Sequence, residues 1–208
     1  MTQKTPNLND AYAIATPQDN QRVYSAWAKS YDQEFIAEMD YRLPEEVARV
    51  FKAAGGAGPV LDIGAGTGAL GGLLADVGPV DGTDISQEML DVAATKQVYR
   101  DVFWGDLTDR LPCEDSTYNA VVSSGTFTTG HVGPDAIDEV LRVVKKGGLV
   151  VISVNAHHWE SAGFKAKFHA LGERVDEPRI ETVRIYGPRS QGAHKADLGL
   201  IVEFRKRS

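Results

Sequence analysis

Eleven consecutive residues, Val60-Leu61-Asp62-Ile63-Gly64-Ala65-Gly66-Thr67-Gly68-Ala69-Leu70, join an apolar run to three alternating glycines and a helix start. Glycine at 64, 66 and 68 permits positive φ and lets a ligand approach main-chain amides with no Cβ in the way. Read as Gly64-x-Gly66-x-x-Ala69, the same letters satisfy a dinucleotide fingerprint. Asp84 follows Gly64 by twenty residues, where a ribose-binding acid belongs. Spacing alone leaves two classes of nucleotide cofactor open, and Asp62 divides them. A strand that offers amides to a pyrophosphate usually runs apolar up to its first glycine, since a neighbouring carboxylate repels the dianion. An acid two residues before Gly64 suits a ligand that carries an ammonium group and no phosphate, such as S-adenosylmethionine.

The elements that must hold this loop follow from pattern. From Pro59 onward short β-rich runs alternate with helical stretches, which predicts strands at 59–63, 79–84, 98–103, 119–124 and 148–154, with helices near 68–76, 86–96, 134–144 and 158–171. The runs Ile180–Tyr186 and Leu198–Arg205 have no room between them for a crossover helix and read as an antiparallel hairpin. The expected fold is therefore α/β: an open, doubly wound, mostly parallel seven-stranded sheet with a C-terminal antiparallel hairpin. Ahead of it, Val23, Trp27, Tyr31 and Phe35 recur every four residues as one helical stripe, and Leu43-Pro44 opens a second helix that ends at Gly55-Gly56. The chain thus divides into a loose arm (1–16), a helical cap (17–56) and an α/β core (57–208) within a single domain.

Composition narrows the partners. Hydrophobic residues make up 42% of the 208 and charged residues 25%, ordinary globular usage, and uninterrupted apolar runs such as Leu149–Ile152 are far too short to cross a bilayer. Twenty-two basic against twenty-nine acidic residues leave a net charge of −7, which offers a polyanion no attractive field, so no nucleic-acid partner is expected. Cys113 is the only cysteine, and Met1-Thr2-Gln3-Lys4-Thr5 has no apolar stretch behind it, so a reducing cytoplasm is the expected location, with a monomer or homodimer as the assembly.

The run Asp62-Ile63-Gly64-Ala65-Gly66-Thr67-Gly68 resembles the first motif of the class I S-adenosylmethionine-dependent methyltransferases, and the likeness extends from about residue 20 to 205. Asp84 stands where that family's second strand ends in an acid that bonds both ribose hydroxyls. Ser86-Gln87-Glu88-Met89-Leu90 resembles its helix start, with Ile85 or Met89 flanking adenine. Gly105-Asp106-Leu107 matches the acid that accepts from the adenine amino group. Tyr118–Ser124 is similar to the fourth strand, whose end faces the methyl group, and Leu141–Val151 to the helix, glycine turn and fifth strand. The helix Val23–Asp32 is similar to the opening helix of small-molecule methyltransferases, including the Williams–Beuren-region methyltransferase-like subgroup. The resemblance implies S-adenosylmethionine as cofactor, S-adenosylhomocysteine as product, and a cofactor set of Tyr24, Tyr31, Asp62, Gly64, Ala65, Gly66, Gly68, Asp84, Ile85, Met89, Asp106, Leu107 and Ser123.

On the acceptor side, His131 lies on the loop after the fourth strand, where open α/β sheets collect ligands and where a histidine can take a proton near neutral pH. His157, after the fifth strand, occupies the opposite rim and is the second candidate. No metal is implied, because the five histidines and one cysteine lack the paired spacings of zinc sites. The expected reaction is in-line methyl transfer to a small-molecule acceptor. A protein or RNA methyltransferase, or a non-catalytic module that only binds the cofactor, is the alternative.

Overall fold

The structure, a computed structural model, describes residues 16–191 and 193–208 together with 6, 10, 11 and 14. Seven strands form one sheet in the order β3-β2-β1-β4-β5-β7-β6. They are β1 (Val60–Ile63), β2 (Val80–Asp84), β3 (Asp101–Trp104), β4 (Tyr118–Phe127), β5 (Val144–Asn155), β6 (Arg179–Arg184) and β7 (Leu198–Arg205). β1 to β5 are parallel, while β7 runs antiparallel between β5 and β6. The chain winds outward from β1 through β2 to β3, then returns across β1 to begin β4. That reversal leaves a crevice beyond the carboxyl ends of β1 and β4, the place where open α/β sheets bind ligands.

Alternation along β1 sorts the core into two layers. Leu61 and Ile63 join the layer that holds Ile137, Trp159 and Phe164, whereas Val60 joins Val47, Phe51, Leu70 and Trp27 on the opposite face. Phe51 and Phe164 are completely buried, one in each layer, and each contributes roughly 1.5–3 kcal/mol of apolar burial. The first layer is covered by α5 (Ile137–Val143), α6 (Ala156–Ala162) and α7 (Phe164–Leu171), and the second by α2 (Leu43–Ala53) and α3 (Ala69–Leu73). α4 (Gln87–Thr95) links β2 to β3. Among the described residues, no helix is long and apolar enough to cross a membrane.

Several predicted elements change at their ends. The helix expected at 68–76 is the five-residue α3, since Gly71-Gly72 adds no side-chain packing to hold a further turn. The helix expected at 158–171 is two helices, divided at Gly163, which takes φ +88°. The aromatic stripe is divided as well. α1 (Pro17–Trp27), capped by the Thr16 side chain, ends in a turn, and Asp32–Ala37 forms a π-helical segment. Its wider winding keeps Tyr31 and Phe35 aligned with Trp27 at a spacing of four, which an ideal 3.6-residue helix would rotate apart. Most of the arm at 1–16 lies outside the described residues, but it is not loose throughout: Ala11 and Ile14 are buried.

Candidate functional site

The cleft at the switch point contains about 1270 Å³ of empty space, its open mouth included; typical small-ligand sites hold roughly 300–1,000 Å³. One side is the glycine turn. Gly64 and Ala65 both donate their amides to the Thr83 carbonyl, at 2.8 and 3.0 Å, which docks the turn onto β2. Gly64, Gly66 and Gly68 all have positive φ, at +70°, +53° and +89°. A Cβ on Gly64 would lie 1.9 Å from Thr126 Oγ1, so only glycine lets the β1 turn and the end of β4 approach this closely.

Asp84, at the end of β2, ties the turn to the next helix. Its Oδ2 accepts from the Gly66 amide at 2.8 Å and its Oδ1 from the Ser86 amide at 2.9 Å. Burial raises its pKa, an effect opposed by these amide bonds. Each oxygen keeps a further lone pair for a donor in the cleft. Beyond it, Ile85 and Met89 supply an apolar strip, with Gly105, Asp106 and Leu107 below them at the end of β3. The Asp106 Oδ1 accepts from the amide and the hydroxyl of Thr108, which fixes the carboxylate at the wall.

The other side belongs to β4 and the cap. Between Ser123 and Phe127 the pairing of β4 with β5 slips, so four steps on β4 span two on β5. The slack turns Ser124, Gly125 and Thr126 into the cleft, and Ser153 of β5 accepts from the Gly125 amide at 2.8 Å. Tyr24, Tyr31, Phe35 and Tyr41 converge from the cap, and Tyr186 joins them from the segment between β6 and β7. Burial raises the pKa of Tyr24, Tyr31 and Tyr41, so these phenols remain neutral donors. His131 lines the cleft with Nε2 3.2 Å from the Tyr24 hydroxyl and Nδ1 3.2 Å from the Thr129 carbonyl. Because a carbonyl can only accept, Nδ1 carries the proton and Nε2 accepts from Tyr24. Burial lowers the His131 pKa, which favours this neutral form.

The cap is tied directly to the cofactor-side loops. Thr67, inside the glycine turn, donates to Asp32 Oδ1 at 2.5 Å, and Lys96 pairs with the other oxygen of Asp32. Ser25 donates to Glu88 at the start of α4.

Of the predicted residues, Tyr24, Tyr31, Gly64, Gly66, Asp84, Ile85, Met89, Asp106, Leu107 and His131 meet at this cleft. Five do not form its wall. Asp62 lies behind the turn, because β1 alternation aims it at Tyr99, whose hydroxyl donates to Oδ2 at 2.7 Å; burial raises this acid to about 7. Ala65 and Gly68 shape the turn without lining the cleft. Ser123 points into the sheet and donates to the Ile63 carbonyl at 2.6 Å, leaving Ser124 to face the space. His157 is exposed on the outer face of α6, and its neighbour His158 is buried, bonded to the Val132 carbonyl at 2.9 Å. Sequence reasoning missed Tyr41, Thr126 and Tyr186, which carry no motif, and Tyr99, which a reading of hydroxyls near the turn could have noted only with β3 already placed. Among the described residues, no three metal-ligating side chains gather in one place.

Comparison with known proteins agrees with this geometry. Residues 60–148 match the methyltransferase-domain family. A demethylmenaquinone methyltransferase of Renibacterium salmoninarum is 36% identical over 99 residues, 47% of this chain and 41% of that protein. An 18S rRNA (guanine-N(7))-methyltransferase of Bos taurus is 43% identical over 65 residues, 31% of this chain and 23% of that protein. The matched stretches therefore span less than half of these relatives. In fold, the chain is similar to an S-adenosylmethionine-dependent methyltransferase of Thermotoga maritima, with a TM-score of 0.60, 17% identity and coverage of 89% of this chain and 99% of that one. It is also similar to a TehB-like S-adenosylmethionine-dependent methyltransferase of Corynebacterium glutamicum, with a TM-score of 0.55, 24% identity and coverage of 77% and 87%. Over its matched domain at residues 60–148, and in a fold built around a glycine turn, an acid at the end of β2 and an antiparallel β7, this chain is thus similar to S-adenosylmethionine-dependent methyltransferases.

Proposed function

We propose that the chain binds S-adenosylmethionine along the ends of β1, β2 and β3 and catalyses transfer of its methyl group to a small molecule held under the cap. The observation that carries this reading is Asp84: a carboxylate at the cleft wall, pinned by the Gly66 and Ser86 amides, with lone pairs left over to accept from the hydroxyls of a ribose. Ile85 and Met89 then flank an adenine, and Asp106 accepts from its amino group. No oxygen of Asp62 reaches the cleft wall, so this acid acts on the turn through Tyr99 instead of gripping an ammonium directly.

When bound, the cofactor supplies an electrophilic methyl group on a positively charged sulfur. The residues of this chain hold the acceptor in line with that carbon and exclude water. An acceptor methylated there would have a proton to give up. His131 is the candidate base: the acceptor proton passes to the Tyr24 oxygen while Tyr24 hands its own proton to His131 Nε2. Assembly as a monomer or homodimer in a reducing cytoplasm completes the proposal.

Calorimetry with S-adenosylmethionine, S-adenosylhomocysteine, NAD and NADP tests the cofactor. Adenosyl ligands are expected to bind and the nicotinamide ligands not; the reverse pattern overturns the reading. Labelled methyl supplied with a metabolite extract tests the transfer, with label in a small product expected. Label in RNA or protein would transfer the assignment to a macromolecular acceptor, and cofactor binding without turnover would make the chain a binding module.

A further inference from the structure

The wall facing the cofactor side has an unusual make-up. Tyr31 stacks on Phe35 at 4.8 Å between ring centroids, Phe35 meets Tyr41 at 4.7 Å, and Tyr41 meets Tyr186 at 5.9 Å. The rings form a continuous surface drawn from two distant parts of the chain, and they line the cleft. Phe127 and Val132 add apolar surface from the β4 side.

Charge is missing from this half. Among the described residues that line the cleft there is no lysine or arginine, and the two carboxylates, Asp84 and Asp106, lie at the ends of β2 and β3. The cations behind the ring wall are already engaged. Arg189 and Arg42 both pair with the buried Asp40, at 3.0 and 3.7 Å, and none of the three lines the cleft. His131 is held neutral, with its Nε2 turned to Tyr24. What remains for recognition is neutral: the phenol hydroxyls of Tyr31 and Tyr41 and the side-chain amides of Asn20 and Asn155.

Each feature excludes a class of acceptor. A carboxylate or phosphate would lose its water shell with no cation in exchange and would face two carboxylates across the cleft. An ammonium would likewise surrender its water shell to a half of the cleft that offers neutral groups and no carboxylate. A neutral ring has no ionic hydration to lose, stacks on the aromatic wall, and finds neutral partners that replace the water on its oxygens.

We infer that the acceptor is an uncharged ring compound bearing hydroxyl or carbonyl oxygens, of the phenol type, seated against Tyr31, Phe35, Tyr41 and Tyr186. This inference rests on the methyl-transfer reading above.

Three probes of one shape but different charge test it: 2-naphthol, 2-naphthoate and 2-naphthylmethylamine, titrated at pH 7 into the protein alone and with saturating S-adenosylhomocysteine. The neutral probe is expected to bind at least tenfold more tightly than either charged one. Tyr186→Ala is expected to lose at least fivefold in naphthol affinity while still binding S-adenosylhomocysteine, and Tyr41→Ala provides a second test of the same wall. Equal or tighter binding of the anion or the cation, or naphthol binding unchanged in both variants, overturns the inference. The S-adenosylhomocysteine titration reads the cofactor assignment separately, and the apo titration measures the charge preference even if that cofactor does not bind.

Discussion

Tyr99 reaches beneath the glycine turn from the segment before β3 and donates its hydroxyl to Asp62 at 2.7 Å, while the second oxygen of Asp62 is buried with no hydrogen-bond partner among the described residues. Burial dominates, and the acid sits at about 7 in the folded chain. An unfolded aspartate titrates near 4. The native state therefore binds the extra proton between these values, and stability from this group is full below pH 4, falls as pH rises towards 7, and is level above. Asp62→Asn removes that dependence. The stability gap between variant and wild type in urea is expected to widen in favour of the variant from pH 4 to 7, reaching on the order of 3 kcal/mol. A gap that does not change with pH would contradict the buried-acid assignment.

Asp84 accepts two backbone amides, one on each oxygen. In Asp84→Asn the new NH₂ must face either Gly66 N–H or Ser86 N–H, a donor against a donor. S-adenosylhomocysteine affinity measured by calorimetry is expected to fall about 10- to 100-fold, the worth of one to two charge-assisted bonds.

Two glycines of the turn are expected to respond differently. At Gly64 a Cβ collides with Thr126, whereas at Gly66 it meets nothing within 4 Å and projects into open space. Gly64→Ala is expected to cost several times more stability in thermal unfolding than Gly66→Ala, whose strain at positive φ is about 1–2 kcal/mol. Gly66→Ala should instead appear as weakened adenosyl-ligand binding in a protein that still folds.

Asp32 fastens the cap to both Thr67 and Lys96. Its carboxylate is 45% exposed, so the ion pair itself adds little to global stability. Asp32→Ala is therefore expected to change the melting temperature by only a few degrees while amide exchange in residues 17–37 accelerates. Lys96→Met, which keeps the Thr67 bond, should produce a smaller change in exchange.

The α/β alternation, the seven strands, the glycine turn and Asp84 were legible in the sequence because each depends on local periodicity or on backbone freedom that only glycine supplies. The direction of Asp62 was not: its period-two position on β1 points it at Tyr99, and that partner is placed by β3, far along the chain. Ser123 and Ser124 are neighbours whose roles were exchanged, because the register slip of β4 against β5 determines which of them faces the cleft. His157 and His158 likewise looked alike until packing exposed one and bonded the other to Val132. Tyr41 and Tyr186 reach the site only when the cap and the β6–β7 segment close on each other. The sequence by itself determined the cofactor side, which is built from one short continuous motif and the ends of successive strands. The aromatic wall opposite is assembled from side chains separated by well over a hundred residues, and only tertiary packing could bring them together.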